Sequence, residues 1–119
     1  MLDFEKQLSD DVLIETVSLP RAAALEASIM KKRLFEDIHL KKRKIIVDLS
    51  NCYFIDETFL GALVVSLKRI RETGGDIKVV IPSSVVKKTP NITGFLSVCK
   101  NYSSVEDALN SFRYYEATS

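Results

Sequence analysis

The sequence predicts an α/β sandwich, with a mixed sheet of four to five strands and three to four helices packed mainly on one face. The segment Ile45 to Leu49 is an apolar run, typical of a strand that is buried on both sides. An amphipathic helix is predicted from Asp56 to Glu72, ended by a left-handed cap at Gly74. A second apolar strand follows at Ile77 to Ile81. Strand, helix and strand in this order predict a right-handed βαβ unit with parallel strands.

The length and composition predict one globular domain that spans residues 1–119. The chain is 46% hydrophobic and 28% charged, which is near the globular average and excludes a disordered or coiled-coil protein. The net charge of +1 argues against a general attraction to nucleic acid or to acidic membranes. We see neither a signal sequence nor a stretch of roughly 18 apolar residues that could span a membrane, so we expect a cytoplasmic protein.

The cysteine and histidine content indicates neither a metal site nor a disulfide framework. Cys52 and Cys99 stand alone in apolar surroundings, as reduced core thiols do. Together with the single His39 they are too few and too far apart in sequence to bind zinc. We predict no cofactor. The basic segment 39–44 and the start of the helix at Asp56 leave weak nucleotide binding open, but the sequence lacks a glycine-rich phosphate loop, which makes this a poor hypothesis.

The N-terminal part predicts a hairpin followed by a helix. Leu2 to Leu8 alternates in polarity, Val12 to Leu19 is rich in β-forming residues, and Pro20 ends the second strand. We expect a helix from about Arg21. Its apolar stripe, which we place against the sheet, consists of Ala23, Ala27, Met30, Leu34 and Ile38.

Two further segments of this region leave alternatives open. Leu25 and Ile29 lie off the apolar stripe, which indicates either a wider buried face, the alternative we favour, or an apolar outer surface. The basic segment 39–44 flanks the hydrophobic strand. We interpret it as a solvated connection in preference to a phosphate-binding patch.

The C-terminal part predicts shorter elements. Ser83 to Val86 opens a short helix, Ile92 to Leu96 forms a turn of helix, and Val98 to Tyr102 forms an edge strand. Ser103 and Glu106 have the spacing of a capping box. The last helix then follows, with an apolar stripe of Val105, Ala108, Leu109 and Phe112.

The predicted helix from Asp56 has two distinct faces. Its core face consists of Phe59, Leu60, Leu63, Leu67 and Ile70. Gly61, Val65, Lys68 and Glu72 form the opposite face, with Ala62 and Arg69 at its edge. These small and apolar residues make a flat strip that another protein could approach closely. Alternatively, they are the scattered apolar residues of any surface.

The start of this helix carries polar residues, and either helix capping or phosphate binding explains why they are polar. Asp56 can accept hydrogen bonds from the free backbone N–H groups as an N-cap, while Glu57 and Thr58 add a negative charge and a hydroxyl in the first turn. Such a cap with a first-turn acid contributes about 1 to 2 kcal/mol, which accounts for these residues without any function. The same helix end would also bind a phosphate.

The chain resembles a known family over nearly its whole length, most specifically from Ile45 onward. The matching segments are Ile46-Val47-Asp48-Leu49-Ser50-Asn51, Phe54-Ile55-Asp56, Phe59-Leu60-Gly61-Ala62-Leu63-Val64, Gly74-Gly75, Val79-Val80, Thr93-Gly94-Phe95, Tyr102-Ser103-Ser104 and Glu106-Asp107-Ala108-Leu109. They resemble the STAS domain of bacterial anti-sigma factor antagonists.

The resemblance implies a non-enzymatic switch that binds an anti-sigma factor of the serine-kinase type and is controlled by phosphorylation at this turn. We expect a monomer or weak dimer. The family motif is Asp-Ser-Ser/Thr-Gly-Leu-Gly, in which the residue after Asp accepts the phosphate. Asp56 matches this motif, Glu57 stands at the acceptor position, Thr58 matches the second hydroxyl and Phe59 replaces a glycine.

Glu57 has two interpretations within this resemblance. It mimics the phosphorylated state with a fixed charge, or switching at this position is lost, with Thr58 as an alternative acceptor. We favour loss of switching at position 57. The predicted partner-binding residues are Asp56, Glu57, Thr58, Gly61, Ala62, Val65 and Lys68.

Two other functions compete with this interpretation. One is a STAS subunit of another assembly, such as a lipid transporter accessory or a stress-signalling scaffold, which phosphorylation does not regulate. The other, an enzyme, is the weakest hypothesis. His39 has no evident nucleophile partner, and the adjacent acids at 56 and 57 do not form a positioned acid and base pair.

Overall fold

The computed structural model describes residues 3–118, with side chains up to Arg113. The strands are β1 (Phe4–Ser9), β2 (Val12–Val17), β3 (Arg21–Ala22), β4 (Lys44–Asp48), β5 (Phe54–Ile55), β6 (Asp76–Val80) and β7 (Asn101–Tyr102). The helices are α1 (Ala24–His39), α2 (Glu57–Glu72), α3 (Ser83–Lys88), α4 (Ile92–Leu96) and α5 (Val105–Thr118).

Over residues 3–118 the main sheet has five strands in the order β1-β2-β4-β6-β7. β1 and β2 form the predicted antiparallel hairpin, turning through Asp10 with φ 53°, and the other pairs are parallel. Leu2, which we predicted in the first strand, lies outside the described residues. The mixed α/β sheet predicted from the sequence is confirmed.

The predicted βαβ unit is formed by β4, α2 and β6. The two strands are parallel and pair Ile45 with Ile77. Gly74 ends α2 with φ 87°, the left-handed conformation that glycine adopts without steric cost. A Cβ atom on Gly75 would lie 2.5 Å from the carbonyl oxygen of Arg43, so only glycine fits where the chain re-enters the sheet.

Helices cover both faces of the sheet, and most lie on one face, as predicted. The larger core contains apolar residues of α1, α2, α3 and α4 together with one face of the strands. The smaller core on the other face is covered by α5; its buried residues are Val12, Ile14, Ile46, Val80, Ala108 and Phe112. Residues 3–118 contain five helices, one more than the upper limit of the predicted count, and the two short helices α3 and α4 lie at the two short helical segments that we predicted there.

Helix α1 differs from its prediction at two points. It begins at Ala24, because Arg21 and Ala22 form strand β3 instead of the first helical turn. The exposed fractions of Leu25 and Ile29 are 71% and 39%, so the wider buried face we expected is wrong. The stripe that packs against the core occupies the opposite side of the helix, and no described element covers the outer side at Leu25.

The last helix has a different cap from the predicted one. The Ser104 hydroxyl accepts a hydrogen bond from the backbone N–H of Asp107 at 3.0 Å, so Ser104 is the capping side chain. Ser103 donates its hydroxyl to the Asp107 carboxylate at 2.9 Å. The cap therefore lies one residue after the predicted pair of Ser103 and Glu106, and Asp107 supplies its acid.

A buried group of charges joins the hairpin to α1. Glu15 on β2 and Asp37 on α1 are almost fully buried. Arg33 Nη2 lies 2.8 Å from Glu15 Oε1, and Lys6 Nζ lies 2.6 Å from Asp37 Oδ1 and 3.6 Å from Glu15 Oε2. Burial and the neighbouring Asp37 carboxyl raise the pKa of Glu15, while Arg33 opposes the rise. We call Lys6, Glu15, Arg33 and Asp37 the buried charge cluster.

Candidate functional site

The turn before α2 is held in place by the small sheet of β3 and β5. Phe54 pairs with Arg21 in parallel, and Ile55 pairs with Ala22. The backbone N–H of Asp56 then donates to the carbonyl of Ala22 at 3.1 Å. Because these backbone bonds fix the chain up to the first residue of the turn, the start of α2 has a defined position beside β3.

Asp56 caps α2, as predicted from the sequence. Its Oδ1 accepts a hydrogen bond from the backbone N–H of Phe59 at 2.9 Å, and its own backbone is extended. This satisfies one of the free N–H groups of the helix end. The half-buried carboxylate is therefore already engaged with the helix.

Of the next four residues, the first two are exposed to solvent and the last two are buried in the core. Glu57 and Thr58 are exposed, whereas Phe59 and Leu60 are buried. Phe59, the residue at which this sequence departs from a glycine in the motif, is fully buried and fills the core below the turn. The turn therefore presents one carboxylate and one hydroxyl to solvent.

The outer face of α2 is exposed where we predicted it, with one exception. Gly61 and Lys68 are exposed, and the exposed fraction of Val65 is 45%. Ala62, which we predicted at the edge of a partner-binding strip, belongs to the buried core. Helix α1 packs directly against α2. The periodicity of α2 alone did not indicate that its Ala62 flank is buried, so Ala62 is removed from the exposed strip.

One residue of the site was missed from the sequence. Asn91, which precedes α4, donates its side-chain N–H to Glu57 Oε1 at 2.5 Å. An open groove of about 400 Å³ between α2 and α4 is lined by both residues and by Gly61, Lys68 and Val98, among others. The sequence offered only a weak signal, an Asn after Pro90 in a segment that breaks a helix.

The described residues hold no group of three or more His, Cys, Asp or Glu side chains that could bind a metal ion. Cys52 and Cys99 are free and buried, as predicted. Burial raises the pKa of the Cys52 thiol to about 11, so it is protonated at neutral pH. Over the part of the chain that the structure describes, no helix has the length and apolar character needed to span a membrane.

Comparison with known proteins identifies the family to which the chain belongs. The family model described as STAS domain matches residues 4–108. The chain belongs to the STAS domain family. A Thermotoga maritima relative named "Putative anti-sigma factor antagonist" is 29% identical over 111 residues, which cover 92% of this chain and 97% of the relative. A Thermotoga neapolitana relative named "Putative anti-sigma factor antagonist TM1081 homolog" is 32% identical over 84 residues, which cover 70% of this chain and 74% of the relative.

The solved structures agree with this membership. The crystal structure of a protein from Thermotoga maritima described as a "putative anti-sigma factor antagonist" superposes with a TM-score of 0.78 at 27% identity, covering 92% of this chain and 94% of that one. The resemblance inferred from the sequence is therefore confirmed, as is the STAS-like sandwich. This STAS chain is similar to anti-sigma factor antagonists from bacteria. The turn at Asp56 and the outer face of α2 are the candidate functional surface of this fold.

Proposed function

We propose that the chain is a non-enzymatic regulatory binding protein of the anti-sigma factor antagonist type. Its partner is an anti-sigma factor of the serine-kinase type, which contacts the turn at Asp56 and the exposed strip of Gly61, Val65 and Lys68. The observation that carries this proposal is the exposed Glu57 carboxylate in the first turn of α2, at the position where the family motif carries its phosphoacceptor.

The composition of the exposed strip supports protein binding. Gly61 has no side chain, and a Cβ atom added there would meet no other atom, so a partner can approach the helix backbone closely. Val65 adds apolar surface, and Lys68 adds a positive charge. In its composition, a small, apolar and sparsely charged strip of this kind resembles the centre of a protein interface more than a solvated helix face.

We further propose that Glu57 makes the charge at this position permanent. A carboxylate carries about one negative charge, whereas a phosphate carries about 1.5 to 2. Because Glu57 has no hydroxyl, a kinase cannot modify it, and switching at position 57 is lost. Thr58 is exposed beside it and is the alternative acceptor.

A binding experiment tests the surface. The anti-sigma factor kinases of the source organism are expressed, and their affinity is measured for the wild-type chain and for Gly61→Arg and Val65→Arg. We expect each substitution to weaken binding at least tenfold, because a long charged side chain would occupy the strip. Leu25→Arg is the matched control, since Leu25 is an exposed apolar residue on the outer side of α1.

Two results of this experiment contradict the proposal. If Gly61→Arg and Val65→Arg remain folded and bind as tightly as the control, the surface is wrong. If no kinase binds and the chain instead co-purifies with a transporter ATPase or with other STAS proteins, it is a subunit of another assembly.

A phosphorylation experiment tests the role of Glu57. The wild-type chain is incubated with the kinase that binds it and ATP, and the intact mass is measured. We expect no added phosphate in the wild type and one added phosphate in Glu57→Ser, because that variant restores a hydroxyl in the same turn. A phosphate on Thr58 of the wild type would show that the switch has moved by one residue.

A further inference from the structure

Asn91 joins α4 to the exposed turn of α2. Its side-chain N–H donates to Glu57 Oε1 at 2.5 Å across 34 positions of sequence. Asn91 has φ 61° and lies immediately before Ile92, the first residue of α4. Asparagine and glycine adopt this left-handed conformation more readily than other residues, but only asparagine also supplies a hydrogen-bond donor.

The contact connects an exposed charge with a helix that is anchored in the core. Ile92 and Phe95 of α4 are buried in the same core as Phe59 and Leu60 of α2. On the solvent side, the groove of about 400 Å³ separates the two helices. Asn91 and Glu57 both line this groove, and their hydrogen bond joins the start of α2 to the residue before α4.

We propose that Asn91 is a positioning residue that holds the Glu57 carboxylate toward α4 and makes the order of α4 depend on an acceptor oxygen with the reach of a glutamate at position 57. A serine at this position is shorter than glutamate by two chain atoms, so its hydroxyl does not reach the same donor. A phosphoserine extends about as far as glutamate and presents acceptor oxygens. The Asn91 amide therefore distinguishes a glutamate or a phosphoserine at position 57 from a serine.

The role of this contact in partner recognition rests on the proposed function, but the contact itself does not. Helix α4 has only five residues, and so short a helix is stable only through its contacts with the rest of the protein. Loss of the hydrogen bond between Asn91 and Glu57, which lies at the first turn of α4, raises the frequency with which α4 opens locally. The backbone N–H groups of Ser97 and Cys99, which donate to Thr93 and Phe95, report on this opening.

Hydrogen exchange of the isolated chain tests the proposal. Exchange of the Ser97 and Cys99 amides is measured in the wild type, Glu57→Ser, Asn91→Gly and the double variant. Glycine keeps the left-handed backbone and removes only the side chain. We expect exchange in each single variant to be about three to ten times faster than in the wild type. The double variant should exchange no faster than the faster single variant, because both substitutions remove one interaction.

Two further variants separate a role of the side chain from a role of the backbone. Asn91→Asp retains the shape and the left-handed preference but places a carboxylate against Glu57, so we expect faster exchange than in Asn91→Gly. Glu36→Ser, the same substitution at an exposed residue of α1, should leave exchange at Ser97 unchanged.

The proposal is overturned if Asn91→Gly exchanges like the wild type, or if the effects of the two single substitutions multiply in the double variant. It is also overturned if Asn91→Asp exchanges like the wild type, since the donor N–H of the Asn91 side chain would then not affect the order of α4. No partner is present in these measurements. A failure here is therefore distinct from a failure of the kinase-binding experiment.

Discussion

Two pairs of acidic residues lie on the face of the sheet that α1 and α2 cover, and the two pairs differ in their burial. Glu15 on β2 and Asp37 on α1 are almost fully buried, with Arg33 and Lys6 as partners. Asp56 and Glu57 stand at the start of α2, where the first is half-buried and the second is exposed. Both pairs lie on the side of the sheet covered by α1 and α2, yet only the second presents a charge to solvent.

The difference shows which charges stabilise and which can be recognised. A charge that is removed from water needs its partners, and breaking such a group costs far more than the group contributes as a whole. A charge at an exposed helix start costs little to change, because water replaces its contacts. We therefore expect substitutions in the buried charge cluster to act on stability, and substitutions at Glu57 to act on binding.

The largest effect is expected from Arg33→Met. This change removes the guanidinium that donates to the buried Glu15 Oε1 at 2.9 Å, and we expect the free energy of unfolding to fall by about 3 kcal/mol, because a buried carboxyl oxygen is left without a hydrogen-bond donor. Urea denaturation measures the change. Lys32→Met is the control, because Lys32 is exposed on the same helix. Equal losses in the two variants would show that Arg33 contributes only helix propensity.

The pH dependence of stability gives the second largest effect. Burial and the adjacent Asp37 raise the pKa of Glu15 from 4.5 to about 8, so the folded chain retains a proton that the unfolded chain releases. The folded state then binds more protons between these pH values, and the free energy of unfolding falls as the pH rises through this interval. We expect a loss of about 2 kcal/mol or more from pH 5 to pH 8.

Glu15→Gln tests the origin of this slope. The amide cannot ionise, so the variant should lose most of the pH dependence between pH 5 and pH 8 while remaining folded. Denaturation is measured at several pH values in both proteins. A slope that persists unchanged in Glu15→Gln would assign the titration to another group.

The features that could be predicted from the sequence are local ones. The apolar runs of β4 and β6, the glycine that ends α2 and the cap at Asp56 each depend on a few consecutive residues. The βαβ unit follows from them, because the handedness of such units is nearly invariant. The resemblance of the sequence to STAS domains then predicted the family, and the comparisons confirm that prediction.

The features that could not be predicted depend on distant neighbours. Strand β3 has two residues, too few for any alternation to be recognised. Ala62 is buried on the flank of α2, and Leu25 is exposed because no described element covers it. The contact of Asn91 with Glu57 spans 34 positions, and no local pattern indicates it.

A smaller effect on stability is expected at the cap of α2. Asp56→Ala removes the acceptor of the Phe59 N–H bond, and we expect a loss of about 1 kcal/mol in the free energy of unfolding. Asp56→Asn retains a side-chain oxygen at the same place and should lose much less. If both variants unfold like the wild type, the carboxylate does not cap the helix in solution.

The smallest effect on stability, and the sharpest contrast with the buried charge cluster, is expected from Glu57→Gln. The substitution removes a charge but keeps an oxygen of the same reach for Asn91, so the free energy of unfolding should change by about 0.5 kcal/mol or less. Under the proposed function, the same variant should change the affinity for the kinase-type partner severalfold, because the charge at position 57 is what the partner contacts. Denaturation and titration calorimetry of one protein preparation measure both quantities. A variant that loses stability like Arg33→Met, or binds its partner with unchanged affinity, would show that the exposed acid is a structural charge like the buried ones.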